Sequence, residues 1–318
     1  MKADFHVEYE PSQVMVAAGA KHCVYVALRA LVNPGDEVIV PAPYWVSYIE
    51  LVRMMGGVPV VVTAEESAGF KITAQQLRDA ITPKTKAMIL NNPSNPTGMV
   101  YNGKELKALV DVCVENDLYI IADEIYSCLL YDGLKFTSVA SLGEEVKKRT
   151  ILINGVSNAY AMTGWRIGYA LAEPEIIKVM SNYLSHCAGS CCTISQMAAE
   201  AALSGSQEKI ESMRHAFEER RNYLVERMNQ VEGVSCIKPE GAFYVMMNME
   251  KLVGRSVHGQ VINTCDDFSQ AFLKYGLVAT VPGTAFGAPN FVRWSCATSM
   301  ENIKKGMDRL EAFLKEFQ

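Results

Sequence analysis

A stretch near the middle of the chain places a hydroxyl, a guanidinium and two glycines close together in sequence. Ser157 and Arg166 could bind the same phosphate, the first through its hydroxyl and the second through paired N–H groups. Gly164 and Gly168 would let the backbone approach such a ligand closely, because glycine has no Cβ. This spacing predicts a phosphate site.

A second candidate for the same phosphate lies where Ala18, Gly19, Ala20 and Lys21 open an expected helix. The first N–H groups of a helix have no partner within it, and the helix dipole attracts an anion there. The amides of residues 19–21 could therefore contact phosphate. A glycine before a helix more often only marks a turn.

Two further segments could hold a flat, cationic ring. Pro93 and Pro96 restrict the backbone on either side of Asn95, so its amide is held in one place for a hydrogen bond. Asp123 comes after the apolar run at residues 118–121, which predicts a carboxylate at the end of a buried strand. Such a carboxylate needs a partner, and a protonated ring nitrogen would serve.

An aromatic side chain, Trp45, follows the expected strand that ends at Val40. Its indole could stack on a flat heterocycle, or it could anchor a helix to the sheet. All of these candidates come after expected strands. Because ligands of open α/β sheets bind beyond the carboxyl ends of the strands, the candidates are expected to lie together.

Short apolar runs alternate with longer amphipathic stretches over residues 20–153, which predicts an α/β fold with a mostly parallel sheet sandwiched by helices. After this, a long charged helix precedes shorter strands, which predicts a smaller C-terminal α+β domain. We expect a large domain over residues 1–205 and a small domain over residues 206–318. The expected strands are 36–40, 58–62, 86–90, 118–122, 150–153, 243–247 and 291–295, and the expected helices are 20–32, 45–55, 73–81, 104–116, 207–231, 266–275 and 300–317.

Bulk composition limits the classes of function. The 318 residues are 49% hydrophobic and 20% charged, with a formal net charge of -5, so the chain lacks the basic field that nucleic acid binding requires. Its sequence has neither a signal peptide nor an apolar run of ~18 residues, so we expect a cytoplasmic protein without a membrane partner. The nine cysteines include no CxxC pair and predict neither a disulfide framework nor a metal site.

Taken together, the candidate segments resemble the class I/II aminotransferases, the fold type I family of pyridoxal-phosphate (PLP) enzymes. The resemblance is carried by NPTG at residues 95–98, DEIY at 123–126 and GWRIG at 164–168, which follows a serine. Residues 43–48 resemble the aspartate and aromatic members. The resemblance implies PLP as the cofactor, and an amino acid and a 2-oxo acid as small-molecule partners.

The resemblance also implies a role for each candidate residue. Arg293 would bind the α-carboxylate of the substrate, with Asn95 and Trp45 beside it, whereas a surface salt bridge is the alternative for Arg293. The cofactor contacts that it implies are the amides of Gly19, Ala20 and Lys21, with Ser157 and Arg166, for the phosphate; Asp123 for the ring nitrogen; Asn95 and Tyr126 for the ring oxygen; and Trp45 for the ring face.

The chain departs from the family pattern at one catalytic position. Asn158 stands where the family has the lysine that forms the Schiff base and transfers the proton at the α-carbon. An amide is neither nucleophilic nor basic near neutral pH, and the loss of such a residue commonly costs on the order of 10⁶ in rate. We therefore expect noncovalent PLP and an aminotransferase crippled at this position. A β-lyase-type reaction and a noncatalytic PLP- or amino-acid-binding protein are the alternatives.

The resemblance begins only just before the first strand of the large domain. The family is homodimeric, and its preceding N-terminal arm and helices contribute to the small domain and to contacts across the dimer. We therefore expect a homodimer whose pairing is weakened.

Overall fold

A mixed seven-stranded sheet lies between two layers of helices in the computed structural model, which describes residues 7–318. Its strands are β1 (Val14–Ala17), β2 (Glu37–Ala42), β3 (Val58–Thr63), β4 (Thr85–Asn91), β5 (Tyr119–Asp123), β6 (Thr150–Gly155) and β7 (Gly168–Leu171). The order across the sheet is β1-β7-β6-β5-β4-β2-β3. Strands β2 to β6 are parallel, whereas β7 is antiparallel to both β6 and β1. The predicted mostly parallel sheet is confirmed.

The helices that follow the parallel strands cover both faces of this sheet. Two of these helices begin with a side-chain N-cap. The Thr73 hydroxyl accepts a hydrogen bond from the Gln76 N–H. The Asn102 side chain accepts hydrogen bonds from the N–H groups of Lys104 and Glu105. The helices are α1 (Ala20–Leu31), α2 (Ser47–Met54), α3 (Ala74–Ala80), α4 (Gly103–Glu115), α5 (Glu144–Arg149), α6 (Pro174–Cys187) and α7 (Thr193–Ser204). The first four agree with the sequence prediction to within a few residues, and the last three were not predicted.

Alternation along the strands explains why both faces of the sheet are buried. In β2, Val38 and Val40 pack in the cluster that includes α1 and α2, whereas Ile39 packs in the opposite cluster with α3 and α4. In β5, Ile121 belongs to the first cluster and Ile120 to the second. Near-continuous apolar runs are therefore needed in these strands, as the sequence indicated.

The chain after α7 builds a second, smaller sheet. Its elements are α8 (Glu208–Asn229), β8 (Tyr244–Asn248), β9 (Ser256–Val257), β10 (Gln260–Val261), α9 (Cys265–Ala271), β11 (Val281–Pro282), β12 (Phe291–Ser295) and α10 (Met300–Leu314). Strands β11, β12 and β8 form an antiparallel sheet, and β9 pairs with β10. The helix predicted at 266–275 ends at Ala271 and continues as a π-helical turn, Phe272–Gly276. The domain boundary at residues 205 and 206 lies between α7 and α8 and stays a prediction.

No helix within residues 7–318 has both the length and the apolar character that crossing a bilayer requires.

Two neighbouring carboxyl groups at the end of β5, those of Asp123 and Glu124, lie on opposite sides of the sheet. Asp123 contacts the α2 side, where it accepts a hydrogen bond from Tyr48. Glu124 is buried on the other side, where it accepts hydrogen bonds from the Ser138 hydroxyl and the Val139 N–H. Burial is the main reason that the pKa of Glu124 rises to about 8. Glu124 is therefore neutral in the folded chain at neutral pH.

We expect the substitution Glu124→Gln to flatten the pH dependence of stability. In the unfolded chain Glu124 ionises near its ordinary pKa of 4.5, whereas the folded chain keeps its proton until about 8. The folded chain binds more protons in this window, so the free energy of unfolding falls as pH rises, by up to about 1.4 kcal/mol per pH unit. Urea unfolding between about pH 7 and pH 8, where Asp123 with its pKa of about 6 is already mostly ionised, measures this slope.

The matched control is Glu144→Gln, which removes an exposed carboxyl group from α5. This control should keep the slope of the unsubstituted chain. If Glu124→Gln also keeps it, Glu124 is ionised in the folded chain and our account of its burial is wrong.

Candidate active site

A cleft of about 260 Å³ opens at the carboxyl ends of β4, β5 and β6. It brings together nine of the eleven residues predicted from the sequence, together with five that were not predicted. Of the two remaining predicted residues, Gly19 lies against Arg166 and Arg293 is hydrogen-bonded to Asn95. The predicted lining residues are Ala20, Lys21, Trp45, Asn95, Asp123, Tyr126, Ser157, Asn158 and Arg166, and the others are Tyr48, Asn91, Ile125, Thr163 and Tyr244.

Asp123 is the buried carboxylate of this cleft. Its oxygens accept hydrogen bonds from the Tyr48 hydroxyl at 2.7 Å and from the Ile125 N–H at 3.3 Å. Burial raises the pKa of Asp123 to about 6, although these two donors act in the opposite direction. No lysine, arginine or histidine within residues 7–318 forms an ion pair with it. The site therefore fits a ligand that brings its own positive charge.

Tyr48 was missed because its contact with Asp123 spans 75 positions of the chain. A local signal for it does exist. Trp45 lies just before α2 and Tyr48 lies three residues later in its first turn, and the Tyr48 N–H donates to the Trp45 carbonyl. This spacing places two side chains on one face of a turn. Their rings are 5.3 Å apart and perpendicular. Once Trp45 is expected in the cleft, Tyr48 should therefore be expected there as well.

The Trp45 indole also contacts a cation, because the Lys21 ammonium lies 4.9 Å from its ring centroid. Lys21 is exposed, and no carboxylate within the described part of the chain pairs with it. A flat ligand stacked on Trp45 would share the indole with this ammonium or displace it. Lys21 thus contributes a positive charge beside the predicted ring site.

Two loops meet at the end of the cleft predicted to bind phosphate. Arg166 donates hydrogen bonds to the carbonyls of Thr163 and Ala18, which ties the loop before β7 to the start of α1. Gly19 adopts a φ of +92°, and its N–H donates to the Ala17 carbonyl. The Gly19 amide, which was predicted to contact phosphate, is thus already hydrogen-bonded within the chain. The amides of Ala20 and Lys21 are the first-turn donors that remain for an anion.

Close packing at this end requires glycine. A Cβ at Gly19 would come within 2.3 Å of the Arg166 guanidinium, and a Cβ at Gly168 would come within 2.2 Å of the Ala20 nitrogen. Real side chains do not tolerate such contacts, so the two loops can approach each other only without side chains here. The small residues noted in the sequence thus bring the helix amides and Arg166 to one place.

The opposite end of the cleft holds the predicted carboxylate site. Arg293, on β12, donates a 2.8 Å hydrogen bond to the Asn95 side chain, and Asn95 in turn donates to the Tyr126 hydroxyl at 3.5 Å. Asn91 anchors this loop by accepting the Asn95 N–H and donating to the Asp123 carbonyl. Burial lowers the pKa of Arg293 below its usual range, and no carboxylate in residues 7–318 pairs with it. The surface salt bridge considered as an alternative is absent from these described residues.

Asn158 lies in the turn after β6 and lines the same cleft as Asp123 and Arg166. Within the described residues, Lys21 is the one lysine of the cleft lining. The cleft thus offers phosphate donors, a buried carboxylate and an indole, and the Arg293 guanidinium lies beside it at Asn95. This set fits a phosphorylated pyridine together with a carboxylate ligand.

Comparison with known proteins gives one consistent result. The model of the family "Aminotransferase class I and II" matches residues 2–310. The aspartate aminotransferase of Geobacillus stearothermophilus is 47% identical over 312 residues, which cover 98% of this chain and 78% of that protein. The asparagine–oxo-acid transaminase of Streptococcus mutans is 44% identical over 307 residues, which cover 96% and 77%.

Solved structures agree with this result. The aspartate aminotransferase of Rhizobium meliloti superposes with a TM-score of 0.97 at 38% identity, covering 100% of this chain and 80% of that chain. The aromatic aminotransferase of Pyrococcus horikoshii superposes with a TM-score of 0.91 at 36% identity, covering 99% and 83%.

We expect Gly168→Ala to weaken PLP binding roughly tenfold or more. Its Cβ would press on the backbone at Gly19 and Ala20 and displace the helix amides, and overpacking of this kind costs about 1–3 kcal/mol. Titration with PLP, followed by quenching of tryptophan fluorescence, measures the affinity. Gly164→Ala is the matched control, because a Cβ there meets nothing within 4 Å. Equal affinities of the two variants would show that this close packing does not position the phosphate donors.

Proposed function

The chain belongs to the class I and II aminotransferases, whose members use PLP, and from that premise we propose that it binds PLP noncovalently and that Asn158 arrests amino-group transfer. The observation that carries the proposal is the position of Asn158 in one cleft with Asp123 and Arg166. Under this proposal the site keeps the groups that would bind the cofactor, whereas the position of the family's lysine holds an amide.

Each end of the cleft supports a separate part of this binding. The amides of Ala20 and Lys21, with Ser157 and Arg166, are proposed to hold the phosphate through charge-assisted hydrogen bonds. Trp45 is proposed to stack on the ring, whose oxygen would accept hydrogen bonds from Asn95 and Tyr126. None of these contacts needs a covalent bond to the protein, so binding should survive without the lysine.

Asp123 is proposed to hold a proton on the ring nitrogen. Opposite charges about 4 Å apart contribute roughly 4 kcal/mol at an effective dielectric of ~20, which corresponds to about 3 pKa units. Bound PLP supplies an electron sink for the α-carbon of an amino acid, and this depends on the protonated ring. The Tyr48 hydrogen bond keeps the carboxylate oriented toward the cleft.

Asn158 limits what the site can then do. Its amide cannot form the covalent bond to the cofactor, and it cannot accept the proton that leaves the α-carbon of the substrate. Lys21 is the other amine of the described lining, and its ammonium lies over the Trp45 ring, so we propose that it does not replace the lysine. We therefore propose that an amino acid binds at Arg293 and is turned over extremely slowly.

The positive charges of the cleft support a dicarboxylic substrate. Arg293 is proposed to bind the α-carboxylate through paired hydrogen bonds, and Lys21 is proposed to bind a second carboxylate. Relatives of this chain are named aspartate aminotransferases, and aspartate carries two carboxylates. The expected partners are thus a dicarboxylic amino acid and a 2-oxo acid.

The homodimer also remains a proposal. Several large apolar side chains of α7 are exposed, with Ile194 73% and Met197 60% accessible. They lie beside an apolar groove along β1 and β7. Exposed apolar surface of this kind favours contact with another protein surface, and a second copy of the chain is the proposed partner.

We predict that borohydride treatment of the PLP-loaded chain leaves no PLP-lysine adduct, because no lysine occupies position 158. The substitution Asn158→Lys should restore an adduct at that position, detected by peptide mass spectrometry. It should also raise amino-group transfer by several orders of magnitude, since nucleophile and base return together.

The matched control for this experiment is Asn158→Met, which extends the side chain to a similar reach without an amine. It should bind PLP but give neither adduct nor activity. A reduced PLP-lysine peptide from the unsubstituted chain would contradict the proposal. In Asn158→Lys, formation of pyruvate and ammonia without an acceptor would favour elimination over transamination.

We expect Lys21→Met to weaken succinate binding to the PLP-loaded chain about tenfold, because one charge-assisted hydrogen bond is lost. Propionate, which has one carboxylate, should bind as before, and PLP affinity should also persist because the Lys21 amide remains. Calorimetric titration measures all three affinities. Equal losses for succinate and propionate would rule out the second-carboxylate role, whereas Arg293→Met should weaken both ligands.

A further inference from the structure

Tyr244 lines the cleft beside Tyr126, and no role was predicted for it. It is the first residue of β8, pairs in register with Ser295 of β12, and lines the cleft. Its carbonyl lies against Gly98, where a Cβ would come within 3.2 Å of it. The loop that carries Asn95 therefore also fixes the backbone of Tyr244.

Four side chains form a closed cycle of contacts around this position. The Tyr244 and Tyr126 hydroxyls are 3.2 Å apart, and the Arg293 guanidinium lies 4.3 Å from the centroid of the Tyr244 ring. The cycle closes through Asn95, which accepts a hydrogen bond from Arg293 and donates one to Tyr126. Tyr244 thus touches Tyr126 through its hydroxyl and Arg293 through the face of its ring.

Counting donors and acceptors shows which direction of the hydrogen bond between the two hydroxyls leaves the Tyr126 proton for a ligand. A phenol oxygen has one proton to donate and two lone pairs that accept. If the Asn95 amide and the Tyr244 hydroxyl both donate to the Tyr126 oxygen, its lone pairs are used and its proton is free for a ligand. Burial raises the pKa of Tyr126 well above its usual value, so this proton is present at neutral pH.

The ring of Tyr244 contacts the Arg293 guanidinium. A guanidinium over an aromatic face is stabilised by about 0.5–2 kcal/mol, more when it is shielded from water. Phe286 supports Arg293 in the same way at 4.7 Å. These rings hold the guanidinium without neutralising it, so its charge stays available for a carboxylate.

We propose that Tyr244 is a positioning residue with two separable actions: its hydroxyl makes Tyr126 a donor toward the cofactor ring oxygen, and its ring holds Arg293 for the substrate carboxylate. The inference rests on the proposed function, because it assumes PLP at the first end and a carboxylate at the second. It adds a residue that links the two binding events through one side chain.

Two substitutions separate these actions. Tyr244→Phe keeps the ring and removes the hydroxyl, so PLP should bind roughly two- to tenfold more weakly while propionate binds the unloaded chain as before. The long-wavelength absorption band of bound PLP should also shift, because it reports hydrogen bonding to the ring oxygen. Tyr244→Leu removes both groups, so PLP should be weakened to a similar degree and propionate roughly fivefold as well.

The matched control is Tyr25→Phe. Tyr25 and Tyr183 form another pair of hydroxyls, 2.8 Å apart, between α1 and α6 and outside the cleft lining. This variant loses a comparable hydrogen bond and should keep both affinities and the absorption band. Thermal unfolding of each unloaded variant separates loss of fold from loss of positioning.

Three results are decisive. An unchanged PLP affinity and band in Tyr244→Phe would overturn the inference while leaving the proposed function intact. Equal weakening of propionate by Tyr244→Phe and Tyr244→Leu would show a general structural role instead of two separate actions. Absence of saturable PLP binding by the unsubstituted chain would overturn the proposed function, and this inference with it.

Discussion

The buried carboxylate of Asp123 is the constraint around which the site is arranged. A carboxylate removed from water without a cation costs several kcal/mol, and the hydrogen bonds from Tyr48 and Ile125 offset only part of that cost. The fold places it at the end of β5, between β4 and β6, so side chains from three strand ends surround it. A cationic ligand would offset the rest of the free-energy cost of burying the Asp123 carboxylate. The same interaction would therefore stabilise the fold and bind the ligand.

Much of this arrangement could be predicted from the sequence, because parallel strands impose it. Residues that follow buried strands must meet at one edge of the sheet, so Asn95, Asp123 and Ser157 could be placed together without knowing any distance. Tyr48 and Tyr244 could not be placed in this way. Their hydrogen bonds span 75 and 118 positions of the chain, and an aromatic residue in an amphipathic helix or a short strand is expected to pack in a core.

The edge of the sheet was harder to predict than its centre. Strands β1 and β7 have four residues each, and β7 reads Gly-Tyr-Ala-Leu, which has little β-branched character. Their antiparallel pairing joins segments more than 150 positions apart, as in Val14 opposite Leu171. The φ of +54° at Arg166 was equally hidden, because nothing in the local sequence requires a left-handed arginine. The sequence predicted which residue types form the phosphate site. The backbone geometry of that site could not be predicted, because it depends on packing against α1.

Asn158 lines the cleft at a position that the packing of its own turn does not use. Its neighbours hold the turn: Ala159 is buried and packs in the cluster with Ile125 and Tyr126, and Tyr160 contacts the same cluster from its edge. The side chain at 158 lines the cleft and is not part of that packing. A change there alters the chemistry available to a ligand but leaves the phosphate donors, the carboxylate and the guanidinium in place. Under the proposed function, cofactor binding and turnover therefore depend on different side chains of one cleft.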